Sequence, residues 1–142
     1  MSKIVDLERL VQAAGDAIIA ADPKGKIVLW NPAAERIFGF GADEAIGQSL
    51  DFIIPERFRE RHWKGYRHVM NTGQTKYGAD VLRVPACHKD GRPLSIAFTV
   101  ALLPSQDGKV GAIAAIVRDE TSRWNEERVV RQRLRELEEQ SK

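Results

Sequence analysis

The sequence predicts an α+β domain built on a five-stranded antiparallel sheet with short helices on one face, and three observations lead there. Two apolar runs at 17–21 and 27–30 flank a four-residue turn signal, a helix signal follows the second run at once, and three further apolar runs occupy the last third of the chain before a charged terminal stretch. The three later runs join the first two as the strands of one antiparallel sheet, with the helical patterns between them.

The first hairpin turns at Asp22-Pro23-Lys24-Gly25. Asp at the first position, Pro pre-setting φ at the second and Gly at the fourth match the residue preferences of a type I turn. Asn31 then stands where a helix cap accepts a backbone N–H, Pro32 suits the first helical position, and Gly39 suits the left-handed C-terminal one. A short turn of helix at 42–45 ends at Gly47. A longer helix starts at Pro55 or Glu56 and runs to Asn71, before Gly73. Strands are expected near 81–89, 92–103 and 110–119, joined by Asp90-Gly91 and Ser105-Gln106-Asp107-Gly108. Ile4, Leu7, Val11 and Ala14 repeat at helical spacing, so 1–14 is expected to be a lead-in helix, and 121–140 is charged and helical in composition.

With 142 residues and 43% hydrophobic content, the chain has the size and apolar share for one core. The 22 basic and 20 acidic residues are interspersed and leave a net charge of +2, the pattern of a solvated surface and not of a nucleic-acid-binding stripe. No apolar run approaches the roughly 20 residues of a membrane span, and the N-terminus carries no signal-peptide stretch. A single cysteine makes no internal disulfide. A cytoplasmic location, with neither membrane nor nucleic acid as partner, is the expectation. P-loop, G-x-S-x-G, H-E-x-x-H and paired-cysteine patterns are absent, so enzymatic activity is not expected.

Several spaced motifs resemble those of PAS sensor domains, whose opening reads D-x-x-G-x-I-x-x-x-N, a small residue, G-[YF] and E-x-x-G. Asp22, Gly25, Ile27, Asn31, Ala34, Gly39, Phe40, Glu44 and Gly47 fill those positions. His88-Lys89-Asp90-Gly91 resembles the family's K-D-G hairpin, and Val117-Arg118-Asp119-Glu120-Thr121 its closing I-R-D-x-T. The resemblance spans about 10–123. It implies the PAS fold at 15–120, flanked by an N-terminal helix at 1–14 and a C-terminal amphipathic signalling helix at 121–142.

The helix after Pro55 carries the sharpest chemical signal. At 100° per residue from His62, Phe58, Val69, Tyr66 and Gly65 fall at about −40°, −20°, +40° and −60°, while Arg57, Glu60, Arg61, Lys64, Arg67 and His68 fall about 100° or more away. His62 is centred on the apolar face, where an unpaired buried polar group costs about 1–3 kcal/mol. Its partner is a neighbouring acceptor, a ligand or a metal. Ile54-Pro55-Glu56-Arg57-Phe58-Arg59-Glu60-Arg61-His62 resembles the ligand helix of haem-binding PAS oxygen sensors, in which the histidine of an R-x-R-H run is the proximal iron ligand.

That resemblance implies haem b held by His62. Ile96, Phe98 and Val100 would stand against the distal face, with Tyr66, Val69 and Leu82 also at the cofactor, and His68 and Lys76 would pair with the propionates. On the strand near 92–103, Leu94, Ile96, Phe98, Val100 and Leu102 share one face, which core packing alone would also explain. The sensors' oxygen-donating arginine corresponds to Leu82, with Arg83 next to it. Adjacent strand residues point to opposite faces, so Arg83 cannot replace that donor without a register shift. This argues against oxygen sensing in that style, while an apolar pocket would still admit carbon monoxide or nitric oxide, or the iron would report redox state. Cys87, on a strand, reads as a small half-buried hydrophobe; ligation by its thiolate would require its strand face to turn inward.

Trp124, Val130, Leu134 and Leu137 form a sparse apolar line resembling the linker that follows PAS domains and forms coiled coils in their dimers. Barely two heptads are present, too few for a stable coiled coil alone. Two function classes follow: a haem-dependent gas or redox sensor signalling through a homodimer or partner protein, or a haem-free PAS interaction module with an empty or organic-ligand pocket.

Overall fold

The computed structural model describes residues 4–75 and 80–141. Five antiparallel strands, β1 (Ala17–Ala21), β2 (Ile27–Trp30), β3 (Leu82–Cys87), β4 (Pro93–Pro104) and β5 (Val110–Asp119), form one sheet in the order β2-β1-β5-β4-β3. The helices are α1 (Leu7–Ala13), α2 (Pro32–Phe38), α3 (Ala42–Ala45), α4 (Glu56–Thr72) and α5 (Thr121–Gln140), and a 3-10 turn spans Leu50–Ile53.

The first hairpin closes as its residues require. Gly25 N–H donates to the Asp22 carbonyl at 2.9 Å, and the Asp22 carboxylate accepts from the amides of Lys24 and Lys26. Gly25 sits at φ +82°, a conformation that glycine adopts without a Cβ penalty. Asn31 is fully buried and uses its whole amide: Oδ1 accepts from Ala34 N at 3.1 Å and Ile18 N at 2.9 Å, and Nδ2 donates to the carbonyls of Val11 and Asp16. One side chain thus caps α2 and ties α1 to β1. Gly39 ends α2 at φ +83°, under the His88 imidazole.

Register assigns the two faces of the sheet. Leu82, Val84 and Ala86 on β3 stand opposite Phe98, Ile96 and Leu94 on β4, and β4 in turn sets Phe98 against Val117 and Val100 against Ala115. These residues share the helix-bearing face, where Ala17, Ile19, Trp30, Ala34, Phe38, Ala45, Ile53, Leu94, Ile96 and Val117 form the core. Trp30 and Phe38 pack with ring centroids 5.5 Å apart, and the Trp30 indole donates to the Phe40 carbonyl. The opposite face is also apolar, with Ala20, Ala97 and Ala114 buried but Ile116 and Leu103 exposed at 41% and 45%.

Three local expectations change. The lead-in helix starts only at Leu7, because Asp6 turns extended and accepts from Arg9 N as its cap, and none of its residues is buried. The expected first residues of that helix, 1–3, lie outside the described residues. The third strand is shorter than 81–89, since His88 N–H turns back to the Arg92 carbonyl and starts the Asp90-Gly91 turn. The 3-10 turn was not anticipated; Ser49 caps it and it inserts Ile53 into the core.

Candidate functional site

α4 is amphipathic as its spacing predicts: Arg57, Glu60, Arg61, Lys64, Arg67 and His68 are exposed, Phe58, His62 and Val69 half-buried and Tyr66 buried. Gly65 differs from the expectation, being exposed with open space where a Cβ would project. Side-chain hydrogen bonds fix the helix in place. The Trp63 indole donates to Asp51 Oδ1 at 2.6 Å, Arg59 Nε donates to the Ile54 carbonyl at 3.0 Å, and the Tyr66 hydroxyl donates to the Asp22 carbonyl at the first hairpin. Trp63 also covers that hairpin: a Cβ on Gly25 would collide with carbons of its six-membered ring. Burial, with the nearby Asp22 charge second, pushes the Tyr66 phenol up to about 12, so it stays a donor at neutral pH.

His62 lies beside these two rings, edge-on to Trp63 at 4.6 Å between centroids and tilted against Tyr66 at 5.9 Å. Its Nδ1 is buried and has no hydrogen-bond partner among the described residues. Burial holds the imidazole below its ordinary pKa, opposed by the Asp51 carboxylate, which is already engaged by Trp63. The ring is therefore a neutral imidazole with an unused nitrogen, the form that ligates iron. An imidazole in this form would be able to hold a haem iron. Among the described residues no group of three or more His, Cys, Asp or Glu comes together to hold a bare metal ion.

The wall expected across from it divides by depth. Ile96 is in the core at 6% exposure, while Phe98, Val100 and Leu82 are only half-buried, as are Leu102, Ile113 and Ala115 on the same sheet face. Apolar sheet surface facing the helices is thus incompletely covered around Phe98 and Val100. Leu82 stands directly opposite Phe98, and Arg83 opposite Ala97 on the other face, where its Nε reaches Glu120 at 3.3 Å. The register shift that would bring Arg83 inward has not occurred. Cys87 is half-buried and shares the Arg83 face, so its thiol is not on the wall.

Other expected site residues are dispersed. Tyr66 is committed to the hairpin through Asp22. His68 is exposed on the solvent side of α4, and Lys76 lies outside the described residues. Trp63 was missed as a site residue, although it packs on His62 and anchors α4; its being the only aromatic among the charged residues on that side of the helix was the signal.

The architecture is that of an α+β domain with an antiparallel sheet in the order β2-β1-β5-β4-β3, its helices on one face and a charged helix leaving the last strand. A family model described as PAS fold matches residues 6–120, and the chain belongs to the PAS family. It is 31% identical over 94 residues to the oxygen sensor protein DosP of Escherichia coli K12, covering 66% of this chain and 12% of that protein. It is 43% identical over 56 residues to the sensor protein FixL of Bradyrhizobium diazoefficiens, covering 39% and 11%. The chain thus spans about an eighth of the length of these relatives. Among solved structures, a PAS domain from Colwellia psychrerythraea superposes with a TM-score of 0.71 at 22% identity, covering 82% of this chain and 95% of that one. The chain is a sensory PAS domain, and among the described residues no helix is long and apolar enough to cross a membrane.

Proposed function

We propose that this domain binds haem b through His62 and senses a diatomic gas or the redox state of the iron, passing the signal through a homodimer or a partner protein. The observation that carries the proposal is the buried, unpartnered Nδ1 of a neutral His62 on the helix whose sequence resembles the haem-PAS ligand helix. A buried imidazole nitrogen without a partner costs stability, and a hydrogen-bond partner or a bound metal relieves that cost. Similarity to an oxygen sensor and to a sensor protein supports the same reading.

Haem would supply an iron that binds a small gas or changes oxidation state. The chain's own residues supply the rest. Trp63 and Tyr66 fix the rotation of α4 and so the direction in which His62 points. Phe98, Val100 and Leu82 offer a hydrocarbon surface that excludes water, with no hydrogen-bond donor among them. A gas whose complex needs such a donor is disfavoured, and carbon monoxide or nitric oxide is favoured. The exposed apolar residues on α5 and on the outer sheet face support self-association.

The test is a visible spectrum of protein expressed with haem supply, repeated with His62→Ala. A Soret band in the wild type that is lost or displaced in the variant is the expected result. No Soret band after reconstitution of the wild type would overturn haem binding, and an unchanged spectrum in the variant would overturn the ligand assignment.

A further inference from the structure

Gly65 is the only glycine inside a helix among the described residues, and it stands in the middle of the 17-residue α4. A glycine in a helix interior has more chain entropy to lose than alanine and weakens the helix. Two reasons account for other glycines of this chain: Gly25 and Gly39 take positive φ beneath the rings of Trp63 and His88, and Gly111 lies against the Ser105 backbone. Neither reason applies to Gly65. Its φ is not positive, and a Cβ there would have open space, with nothing beyond its own stretch of helix within 4 Å. The fold would accept a side chain at this position and gain helix stability from it.

The two flanks of His62 differ in the same way. At 100° per residue, Tyr66, Arg59 and Trp63 lie at about +40°, +60° and +100° from it. Each is tied to a neighbouring segment, Tyr66 to the Asp22 carbonyl, Arg59 to the Ile54 carbonyl and Trp63 to the Asp51 carboxylate. On the other flank, Val69, Phe58 and Gly65 lie at about −20°, −40° and −60°. Val69 and Phe58 are half-buried hydrocarbon, and Gly65 is exposed. One flank is shut by hydrogen-bonded side chains, and the other ends in bare backbone.

His62 Nδ1, buried and without a partner, belongs to the residue between these flanks. Residues three apart on a helix are surface neighbours. The unused capacity of the imidazole and the unused space at Gly65 therefore lie side by side.

We infer that Gly65 determines access to His62: it keeps the flank of α4 beside the imidazole free of side chain, so that a broad, flat macrocycle reaches the ring. This rests on the haem reading above and names the residue that admits the cofactor.

Hemin titration of Gly65→Ala, Gly65→Leu and Lys64→Leu, each also unfolded by urea without haem, tests it. Haem-free Gly65→Ala and Gly65→Leu should unfold at higher urea than wild type, because both residues are better helix formers. Their hemin affinity should nevertheless fall, less for alanine than for leucine, where crowding of the cleft should cost about tenfold or more. Lys64→Leu places the same side chain on the charged side of α4, about 200° from His62, and should leave hemin affinity unchanged. Iron-free protoporphyrin IX, followed by its fluorescence, separates room for the macrocycle from the bond to iron. Gly65→Leu should weaken its binding as it weakens that of hemin, whereas His62→Ala should weaken hemin binding more than protoporphyrin binding.

A purely structural role would move stability and affinity together. Gly65→Leu protein that binds hemin or protoporphyrin like wild type, or haem-free Gly65→Ala less stable than wild type, would overturn the role of Gly65 and leave His62 as the ligand. A wild-type protein without a Soret band after reconstitution would overturn the haem reading itself, and the access role with it.

Discussion

Asn31→Ala should be among the most damaging single substitutions outside the apolar core. The side chain is fully buried and makes four hydrogen bonds. Truncation removes the α2 cap, worth about 1 kcal/mol. It leaves the half-buried Ile18 amide on β1 without its acceptor, at about 1 kcal/mol. The carbonyls of Val11 and Asp16 lose a donor too, but both residues are partly exposed and water can replace it. The total is about 2 kcal/mol, which for a chain of this size lowers Tm by roughly 6 °C. Asn31→Asp separates acceptor from donor. It keeps Oδ1 for the two amides but turns an oxygen toward two carbonyls, so it should also destabilise at neutral pH and recover partly on acidification, when the protonated acid can donate. Thermal and urea unfolding of both variants across pH gives the measurement. A loss under 1 kcal/mol for Asn31→Ala, or an Asn31→Asp protein as stable as wild type at pH 7, would refute the network as the origin of the stability.

Gly25→Ala and Gly108→Ala both place alanine at a positive φ, +82° and +83°, at a strain of about 1–2 kcal/mol. Only Gly25 lies against Trp63, so its variant should lose clearly more stability and shift tryptophan emission to the red, whereas equal losses would deny the Trp63 contact. In cofactor-free protein, the lowered pKa of His62 means the unfolded chain takes up a proton below the ordinary value of 6.5 while the folded chain resists it. His62 therefore adds no pH dependence above pH 6.5 and takes stability away as pH falls from 6.5 toward its folded value, so His62→Leu should flatten the acid side of the stability profile. Tyr66→Phe removes the donor to the Asp22 carbonyl and should cost about 1 kcal/mol, with raised amide exchange at the first hairpin as the local signature; exchange unchanged there would place the effect elsewhere.

What was legible in the sequence was what is local in the chain. The Asp22–Gly25 turn, the Asn31 cap, the Gly39 terminus and the start of α4 depend on neighbours within a few residues, and each appears where its residues imply. Family order of motifs supplied the topology that periodicity could not. The donor half of Asn31 was not legible, because Val11 and Asp16 reach it only after α1 folds back. The angle of Tyr66 puts it on the His62 face of the helix, but nothing local shows that its hydroxyl is held by Asp22, 44 positions away in sequence. A helical wheel gives the face a residue occupies and not the element that meets that face. Trp63 shows the same limit from the other side, since its angle from His62 put it off the apolar face while its size let it reach Asp51 and the hairpin.

Turn tips in small domains are ordinarily where a protease nicks the chain or an inserted peptide is tolerated. The first hairpin is an exception, because Gly25 is buried under Trp63 and the Asp22 carbonyl holds Tyr66. The turn at 105–108 also ends in a glycine at positive φ but is exposed throughout, and Gly108 has open space around it. A reporter peptide or fluorescent tag therefore belongs at 106–107, where it leaves α4 untouched. The same tag at 23–24 would lever that helix, and His62 with it, away from the sheet.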